Sequence, residues 1–302
     1  MCGVLALHSH SMACLPPLTE LASRVCAPND VPALGPEHSL CRGVKQLLTF
    51  PCSEITNVDR LEWILARIGL KPHPRGERLY GARGARNMVG SGGGMSQHPM
   101  QLAPALLRLS QLEVRSYLEL GVDSGWTLAV VTAFLRRFGP VQVTGVDLTF
   151  ARIARTTRHT LKLFNVRLVP RRVFTPTTRD LCFIDASHAL RDLIVDFEEM
   201  HPRCRNMLFH DVSDFDCWRN AGGGPARFWA GLKSQLPRNR WTEFVMQPDL
   251  YPPTFGLGLL LGGYPIEVNA SAWATTKEPT GAHGITRRSL PYCLGGGGGL
   301  GA

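Results

Sequence analysis

The stretch EVRSYLELGVDSGWT, Glu113–Thr127, decides the fold class of this chain of 302 residues. An apolar run ends at an acidic residue and Gly121, and a second glycine, Gly125, precedes the next apolar run. This order is typical of a β-strand that turns through a glycine loop into a helix. Because α/β proteins bind nucleotides at such turns, the stretch also predicts a ligand site.

Short apolar segments alternate with amphipathic segments along the rest of the chain. Strands are predicted over residues 114–120, 141–148, 166–172, 180–186, 206–212, 241–248 and 255–263. Helices are predicted over residues 125–138, 150–164, 189–200 and 225–236. No helix is predicted between the last two strands. The pattern therefore predicts an α/β fold, a Rossmann-like doubly wound, mainly parallel sheet with an antiparallel C-terminal edge strand.

The composition divides the chain into four segments. We expect residues 1–50 to be a poorly ordered leader of unknown purpose and residues 51–105 to be an N-terminal extension of helices and loops. Residues 106–265 are expected to form the α/β domain, and residues 266–302 a disordered glycine-rich tail. Apolar spacing predicts a helix over 57–70 and another over 100–112, with Pro104 in the first turn of the second. A basic, glycine-rich loop over 71–94 separates these two helices.

Charge and cysteine content limit the classes of function. Lys and Arg exceed Asp and Glu by 33 to 24, a net charge of +9 that fits either an acidic partner or an arginine-biased genome. No run approaches the roughly 18 apolar residues of a membrane span. The nine cysteines form no C-x-x-C pair, and their odd number predicts reduced thiols, with Cys182 in the core. We expect a cytoplasmic protein by default, with organelle targeting by residues 1–50 as the alternative.

Ligands of open α/β sheets bind beyond the carboxyl ends of the strands, and four of the first five predicted strands end in acid. A dinucleotide site would show G-x-G-x-x-G, whereas this loop reads E-L-G-x-x-x-G. Glu119 and Asp123 would repel a pyrophosphate but suit a cationic ligand without phosphate, such as S-adenosylmethionine. Gly121 and Gly125 allow the backbone to approach it closely. Asp147, 26 positions after Gly121, can accept hydrogen bonds from ribose hydroxyls.

The chain from about Gly92 to Gly263 resembles the class I S-adenosylmethionine-dependent methyltransferases. It looks most like methyltransferase family 24, near the macrocin O-methyltransferase and cephalosporin hydroxylase proteins. The resemblance lies in the segments GGGMSQHPMQ, YLELGVDSGWT, TGVDLT, FIDASHALRDLIVDFEEM, LFHDV and EFVMQPDLYPPTFGLGLLLGG. It implies an enzyme that binds the methionine end of the cofactor at Glu119, Gly121 and Gly125 and its ribose at Asp147. Trp126 departs from the family, where relatives often have a second glycine, and predicts a bulkier loop.

Four polar residues at the ends of the fourth and fifth strands are candidates for the chemistry. Asp185 and His188 follow the fourth strand, and His210 and Asp211 end the fifth. Because neighbouring strands lie about 4.8 Å apart, Asp185, His210 and Asp211 are expected to meet and to hold Mg²⁺ or Mn²⁺. Metal-dependent relatives have an acidic pair where this chain has His210 and Asp211. Asp185 and His188 are the predicted catalytic residues, with His188 as general base towards a hydroxyl of a small molecule or sugar.

Simpler interpretations of the two histidines remain open. His188 could only occupy the first turn of its helix, and His210 could be a packed histidine bonded to a backbone carbonyl. The acceptor is expected to bind the segments near 71–100, 212–225 and 247–255. The residues of these segments do not indicate which acceptor binds.

Two other functions are compatible with the sequence. The run from Arg152 to Arg172 contains no acid, and Arg152, Arg155, Arg158 and Lys162 share one helix face that could track phosphates. Such a stripe is more often the solvated face of an amphipathic helix, and the chain has neither an RNA-binding module nor an N-P-P-Y-like sequence. A nucleic-acid methyltransferase is therefore the less favoured alternative. The other is a non-catalytic binding protein that retains the fold.

Overall fold

The computed structural model describes residues 13–25, 36–69, 95, 97–213, 224–245 and 256–262. The predicted basic loop over 71–94, the glycine-rich tail over 266–302, the acceptor segment over 247–255 and most of that over 212–225 lie outside the described residues.

A seven-stranded sheet forms the centre of the described structure. Its strands are β1 Ser116–Leu120, β2 Gln142–Asp147, β3 Arg167–Pro170, β4 Arg179–Ile184, β5 Cys204–His210, β6 Trp241–Phe244 and β7 Leu257–Leu260. They lie in the order β3-β2-β1-β4-β5-β7-β6. The first five run parallel, whereas β7 is antiparallel to both β5 and β6. This confirms the predicted Rossmann-like sheet and its antiparallel edge, and places the switch in strand order between β1 and β4.

Helices cover both faces of the sheet. They are α1 Thr19–Arg24, α2 Pro36–Thr49, α3 Cys52–Ile55, α4 Val58–Ile68, α5 Pro99–Leu109, α6 Trp126–Leu135, α7 Arg155–Leu163, α8 Leu190–Met200 and α9 Gly224–Gln235. Apolar side chains of α2, α4, α5, α6 and α7 form one core against the sheet, and those of α8 and α9 form a second. Among the described residues, no helix is both long enough and apolar enough to cross a membrane.

The two helices predicted in the extension are present, but the second begins earlier than expected. Asn57 caps α4 by accepting from the backbone N–H of Arg60. For α5, the His98 side chain accepts from the N–H of Met100, so the helix begins at Pro99. Pro104 therefore lies inside α5, and the expectation that it would occupy the first turn is wrong.

The prediction of reduced thiols is also wrong for five described cysteines, which form disulfides: Cys14, Cys41, Cys52, Cys182 and Cys204. Cys14 is joined to Cys52, and Cys182 is joined to Cys204, with Cα atoms 5.9 and 5.8 Å apart. Cys182 is buried, as predicted. The partners are separated by 38 and 22 residues in sequence, so only the folded chain shows that they are neighbours.

Part of the expected leader is helical and packed. The first fifty residues contain α1 and α2, which contact each other. Helix α2 also contacts α4 and α6. As a result, every residue of α6 is buried, although an amphipathic helix of an α/β sheet ordinarily keeps one exposed face. Leu128 of α6 lies against Gly145 of β2 on the sheet side, and α2 covers the other side.

A buried arginine joins this N-terminal layer to the end of α6. Arg137 is 0% exposed. Its Nη1 donates to the carbonyl oxygens of Leu47 and Phe50 at 2.9 and 2.8 Å, and its Nη2 donates to that of Leu15 at 2.9 Å. These carbonyls lie at the C-terminal end of α2 and in the segment before α1. The guanidinium therefore satisfies backbone acceptors that helix geometry leaves without a donor.

Replacing Arg137 by methionine should destabilise the protein by about 3 kcal/mol or more. Hydrogen bonds to a charged group contribute about 1.5–3 kcal/mol each, and three carbonyls, one in a buried and two in partly buried hydrogen bonds, would lose this donor. Urea unfolding followed by circular dichroism measures the change. The exposed Arg172→Met is the control, expected within about 0.5 kcal/mol of the parent. Equal stability of the two variants would show that the buried guanidinium contributes nothing.

Candidate functional site

The glycine loop after β1 uses its own N–H groups within the protein. Gly121 N donates to the carbonyl oxygen of Val146 at 2.8 Å, and Gly125 N donates to that of Val122 at 2.8 Å. The N–H groups of Val122 and Asp123 both donate to Asp147 Oδ2, at 2.7 and 2.9 Å. A phosphate-binding loop instead directs successive N–H groups at its ligand. This loop is therefore built around a carboxylate of the chain.

Gly121 brings the loop into contact with the end of β4. Its φ is 90°, a conformation that side chains other than glycine rarely adopt. A Cβ at this position would lie 2.0 Å from the carbonyl oxygen of Asp185. The first glycine is thus required by both backbone conformation and space. Gly125, with a φ of 78°, forms the N-cap of α6.

Trp126 does not crowd the loop. Its side chain is 1% exposed and belongs to the apolar core beneath α6. It is not among the residues that line the neighbouring cavity. The bulkier loop expected from this residue is therefore not found, because the indole points into the protein.

A cavity of about 220 Å³ opens beyond the carboxyl ends of β1 and β4. Glu119, Gly121, Asp123, Asp185 and His188 all line it, as do five other residues and Gln97. The structure thus brings the predicted residues of both strands to one space, at the point where the strand order reverses.

The acids around this cavity have different partners. Asp123 Oδ1 accepts from Arg152 Nη1 at 2.8 Å, at the solvent side of the cavity. Glu119 is 1% exposed and accepts a hydrogen bond from the Tyr117 hydroxyl. Asp147 supports the loop from behind through Oδ2, and its Oδ1 accepts from Thr149 N at 3.3 Å.

The four candidate residues at the ends of β4 and β5 form one cluster. His210 Nδ1 lies 3.2 Å from Asp185 Oδ1 and 3.0 Å from Asp211 Oδ1. His188 Nε2 lies 3.1 Å from Asp211 Oδ2 and 3.8 Å from Asp185 Oδ1. Consecutive residues of a strand point to opposite faces, but Asp211 has a φ of 60°, and this left-handed turn brings its carboxylate to His210.

A family assignment accompanies this geometry. Residues 118–212 match the family model described as a methyltransferase domain. Over these residues the chain is similar to the methyltransferase domain that the model describes. It begins within β1 and ends directly after Asp211, so it contains the glycine loop, Asp147 and the whole polar cluster. The resemblance that the motifs indicated is confirmed.

Solved structures similar to this chain include three methyltransferases. An O-methyltransferase from Bacillus cereus in complex with SAH is 14% identical, covers 52% of this chain and 78% of its own, and has a TM-score of 0.38. An O-methyltransferase from Streptomyces achromogenes involved in tomaymycin synthesis, in complex with SAM, is 17% identical. The match covers 68% of this chain and 99% of the other, with a TM-score of 0.40. An SAH-bound methyltransferase from Podospora anserina is 15% identical. The match covers 83% of this chain and 99% of the other, with a TM-score of 0.39. No curated protein matches the sequence.

Burial and neighbouring charges shift the pKa values of the cluster in the methyltransferase domain. Burial alone would raise the pKa of Asp185, but His210 and His188 lower it to about 2. Burial alone would lower the pKa of His210, yet Asp185 and Asp211 raise it well above its ordinary value. The pKa of His188 is raised in the same way. His210, between two carboxylates, therefore favours the imidazolium form.

The cluster also offers ligands for a divalent cation. Asp185, His188 and Asp211 each present one ligand atom, and these atoms lie within 4.8 Å of one another. Two carboxylates and an imidazole fit Mn²⁺ better than Mg²⁺, which prefers oxygen ligands. The predicted set contained His210 in place of His188. His210 is 4% exposed behind the carboxylates, whereas His188 lines the cavity. Metal binding stays a prediction.

Sequence analysis did not single out two residues of the site. Gln97 is 1% exposed and bonds to Asp185, although it lies 88 residues away in sequence. Tyr117 lies on β1 two residues before Glu119 and donates to it. The segment GGGMSQHPMQ, which contains Gln97, carried part of the family resemblance and was the available signal.

Proposed function

We propose that the protein transfers a methyl group from S-adenosylmethionine to a hydroxyl oxygen of a small molecule or sugar. The observation that carries the proposal is the glycine loop, whose N–H groups bind Asp147 instead of facing a ligand. The cavity beside it is lined by acids. Such a site disfavours a pyrophosphate and suits a ligand with an ammonium and a sulfonium. The methyltransferase domain supports the same ligand.

The residues present fit this cofactor. Gly121 lets the loop pack directly against the backbone of Asp185, so the ends of β1 and β4 lie together at the edge of the cavity. Glu119 faces the cavity and would lie near the cationic methionine end. Asp147 Oδ2 is occupied by the loop, which leaves Oδ1 as the acceptor for ribose hydroxyls.

His188 is placed to take the proton from the acceptor hydroxyl. It lines the cavity, and its Nε2 lies 3.1 Å from Asp211 Oδ2. Asp211 would stabilise the imidazolium that forms, and Asp185 would hold the ring towards the cavity. A divalent cation bound by Asp185, His188 and Asp211 would lower the pKa of the hydroxyl instead. In both cases the protein aligns oxygen, methyl carbon and sulfur.

The predicted basic stripe is interrupted in the structure, because Arg152 lies in a turn before α7, which begins at Arg155. Part of the stripe is engaged in contacts within the chain. Arg152 pairs with Asp123, and Arg158 Nη2 donates to the carbonyl oxygen of Phe150 at 2.8 Å. These contacts favour a small-molecule acceptor over nucleic acid as part of the proposal. Salt-dependent binding of RNA or DNA would favour the alternative.

The cofactor can be tested by thermal denaturation with S-adenosylmethionine, its demethylated product and NAD, each with and without Mn²⁺. A ligand that binds only the folded protein raises its melting temperature. We expect a shift with the first two and none with NAD. A shift with NAD alone would overturn the assignment. Turnover on a panel of hydroxyl acceptors, followed by mass spectrometry, then distinguishes an enzyme from a binding protein.

Replacing Asp147 by alanine should weaken S-adenosylmethionine binding by at least about tenfold. The variant loses the carboxylate that holds the loop and that is proposed to accept from the ribose. Each charge-assisted hydrogen bond lost contributes about 1.5–3 kcal/mol. Titration calorimetry measures the affinity. The exposed Glu198→Ala removes one negative charge on α8 and should leave affinity unchanged. Unaltered binding by the Asp147 variant would refute its role.

The affinity for S-adenosylmethionine should increase with pH because of Glu119. Burial raises the pKa of Glu119 well above 4.5, and nearby Asp185 and Asp147 raise it further, against the Tyr117 hydrogen bond. The carboxyl group is therefore neutral at low pH and ionises as pH rises through this raised pKa. A cationic ligand binds the ionised form more tightly.

Glu119→Gln is the matched variant for this pH dependence. It cannot ionise, so its affinity should vary less between about pH 5 and 8 and should be weaker at the upper end. Calorimetric titrations of both proteins across this range provide the comparison. Parallel curves for the two proteins would show that Glu119 does not sense the cofactor charge.

A further inference from the structure

We infer that Gln97 is a positioning residue that orients the Asp185 carboxylate through a hydrogen-bonded relay from Thr127. The inference rests on the proposed function, because that function gives Asp185 its part in the reaction. Gln97 and Thr127 are 1% and 9% exposed, and both line the cavity. The relay joins three separate segments of the chain, namely the residues before α5, the first turn of α6 and the end of β4.

The hydrogen bonds fix the orientation of the Gln97 amide. Its Oε1 accepts from the Thr127 hydroxyl. Its Nε2 donates to Asp185 Oδ2 at 2.5 Å. A carboxylate only accepts, so the amide nitrogen must face Asp185, and the carbonyl oxygen then requires the donor that Thr127 supplies. Each group thus has the partner that its chemistry demands.

The relay holds the plane of the Asp185 carboxylate so that one oxygen contacts Gln97 and the other faces the histidines. With Oδ2 held by Gln97, Oδ1 lies 3.2 Å from His210 Nδ1 and 3.8 Å from His188 Nε2. Without the amide, the plane of the carboxylate could rotate about its last torsion away from the histidines. His188 would then lose a fixed neighbour on the side of the cavity. Gln97 therefore acts on the reaction through Asp185 and needs no contact with the substrate.

Four variants test the relay. Gln97→Leu removes the donor at similar volume, and Thr127→Val removes the hydroxyl that orients the amide, whereas Thr127→Ser keeps that hydroxyl. We expect kcat to fall about 10- to 100-fold in Gln97→Leu and less in Thr127→Val, with KM within about threefold of the parent. Thr127→Ser should restore nearly full kcat. In the double variant of Gln97→Leu and Thr127→Val, the second change should add nothing, because both break one chain of contacts.

A matched control separates positioning from folding. Gln101 is also a buried glutamine, and its Oε1 accepts from Gly256 N at 3.2 Å. Gln101→Leu should lower stability while kcat stays within about threefold. Equal kcat values for Gln97→Leu and the parent, or additive losses in the double variant, would overturn the relay.

A spectroscopic measurement keeps the relay distinct from the proposed function. In the parent protein labelled at glutamine side chains, the Gln97 amide protons should resonate away from exposed glutamines and should shift in Asp185→Asn. If no acceptor is methylated, the proposed function fails, and this signal alone decides the relay. Gln97 amide resonances that match those of exposed glutamines would then refute it.

Discussion

Asp185→Ala should lower kcat for methyl transfer about 100- to 10,000-fold. The carboxylate accepts from Gln97, faces His210 and His188, and belongs to the group of atoms that could bind a cation. Its removal also leaves the buried His210 with one carboxylate neighbour in place of two. A loss of this size is typical when a positioned acid–base group or its partner is removed. Single-turnover measurements with saturating S-adenosylmethionine give the rate.

Cofactor binding shows whether this loss is chemical. The dissociation constant for S-adenosylmethionine should stay within about threefold, because Asp185 is only one of the acids at the cavity. His188→Ala should show a similar loss of kcat, and added imidazole should restore part of it if His188 is the base. The surface variant Glu198→Ala is the control for both. Normal turnover in Asp185→Ala and His188→Ala would sink the assignment of the catalytic residues.

Gly121→Ala should abolish cofactor binding and lower stability by about 3 kcal/mol or more. The new Cβ would have to lie 2.0 Å from the Asp185 carbonyl oxygen, so the loop and the end of β4 must separate. This movement disturbs the space where the cofactor is proposed to bind. Urea unfolding and calorimetric titration measure the two effects.

Gly69→Ala is the matched control for Gly121→Ala. Gly69 has a φ of 97°, close to that of Gly121, but a Cβ there would meet nothing within 4 Å. It should therefore show only the cost of backbone strain, about 1–3 kcal/mol. Equal destabilisation of the two variants would mean that the contact with Asp185 is not tight. Binding of S-adenosylmethionine by Gly121→Ala would contradict the placement of the cofactor.

The fold could be predicted from the sequence because its signals are local. The strand and helix alternation, the glycine loop and the helix after residue 57 each depend on signals within a few residues, and the structure contains them all, although α7 begins at Arg155 and not at residue 150. The start of α5 was misplaced because His98, an uncommon capping residue, begins the helix before Pro104. Disulfide pairing could not be deduced, since it depends on distances across the folded chain.

The candidate site was predictable only at the strand ends. Parallel strands bring their carboxyl ends to one edge, so Glu119, Asp147, Asp185 and Asp211 could be grouped in advance. Gln97 could not, because it enters from outside the sheet. The metal-ligand set was predicted with His210, because the sequence does not show that His210 is buried behind the carboxylates while His188 lines the cavity. The left-handed turn at Asp211, which no sequence pattern indicates, is part of this geometry.

Because α2 covers one side of the fully buried α6, the segment that matches the family model is shorter than the part of the chain that must fold together. A protein cut just before Leu118 would keep the cavity loop but expose the side of α6 that α2 now covers. That side is apolar, and its exposure to water would be unfavourable. Such a fragment would be prone to aggregate, so any shortened form of the protein should retain α2 and its contacts with Arg137.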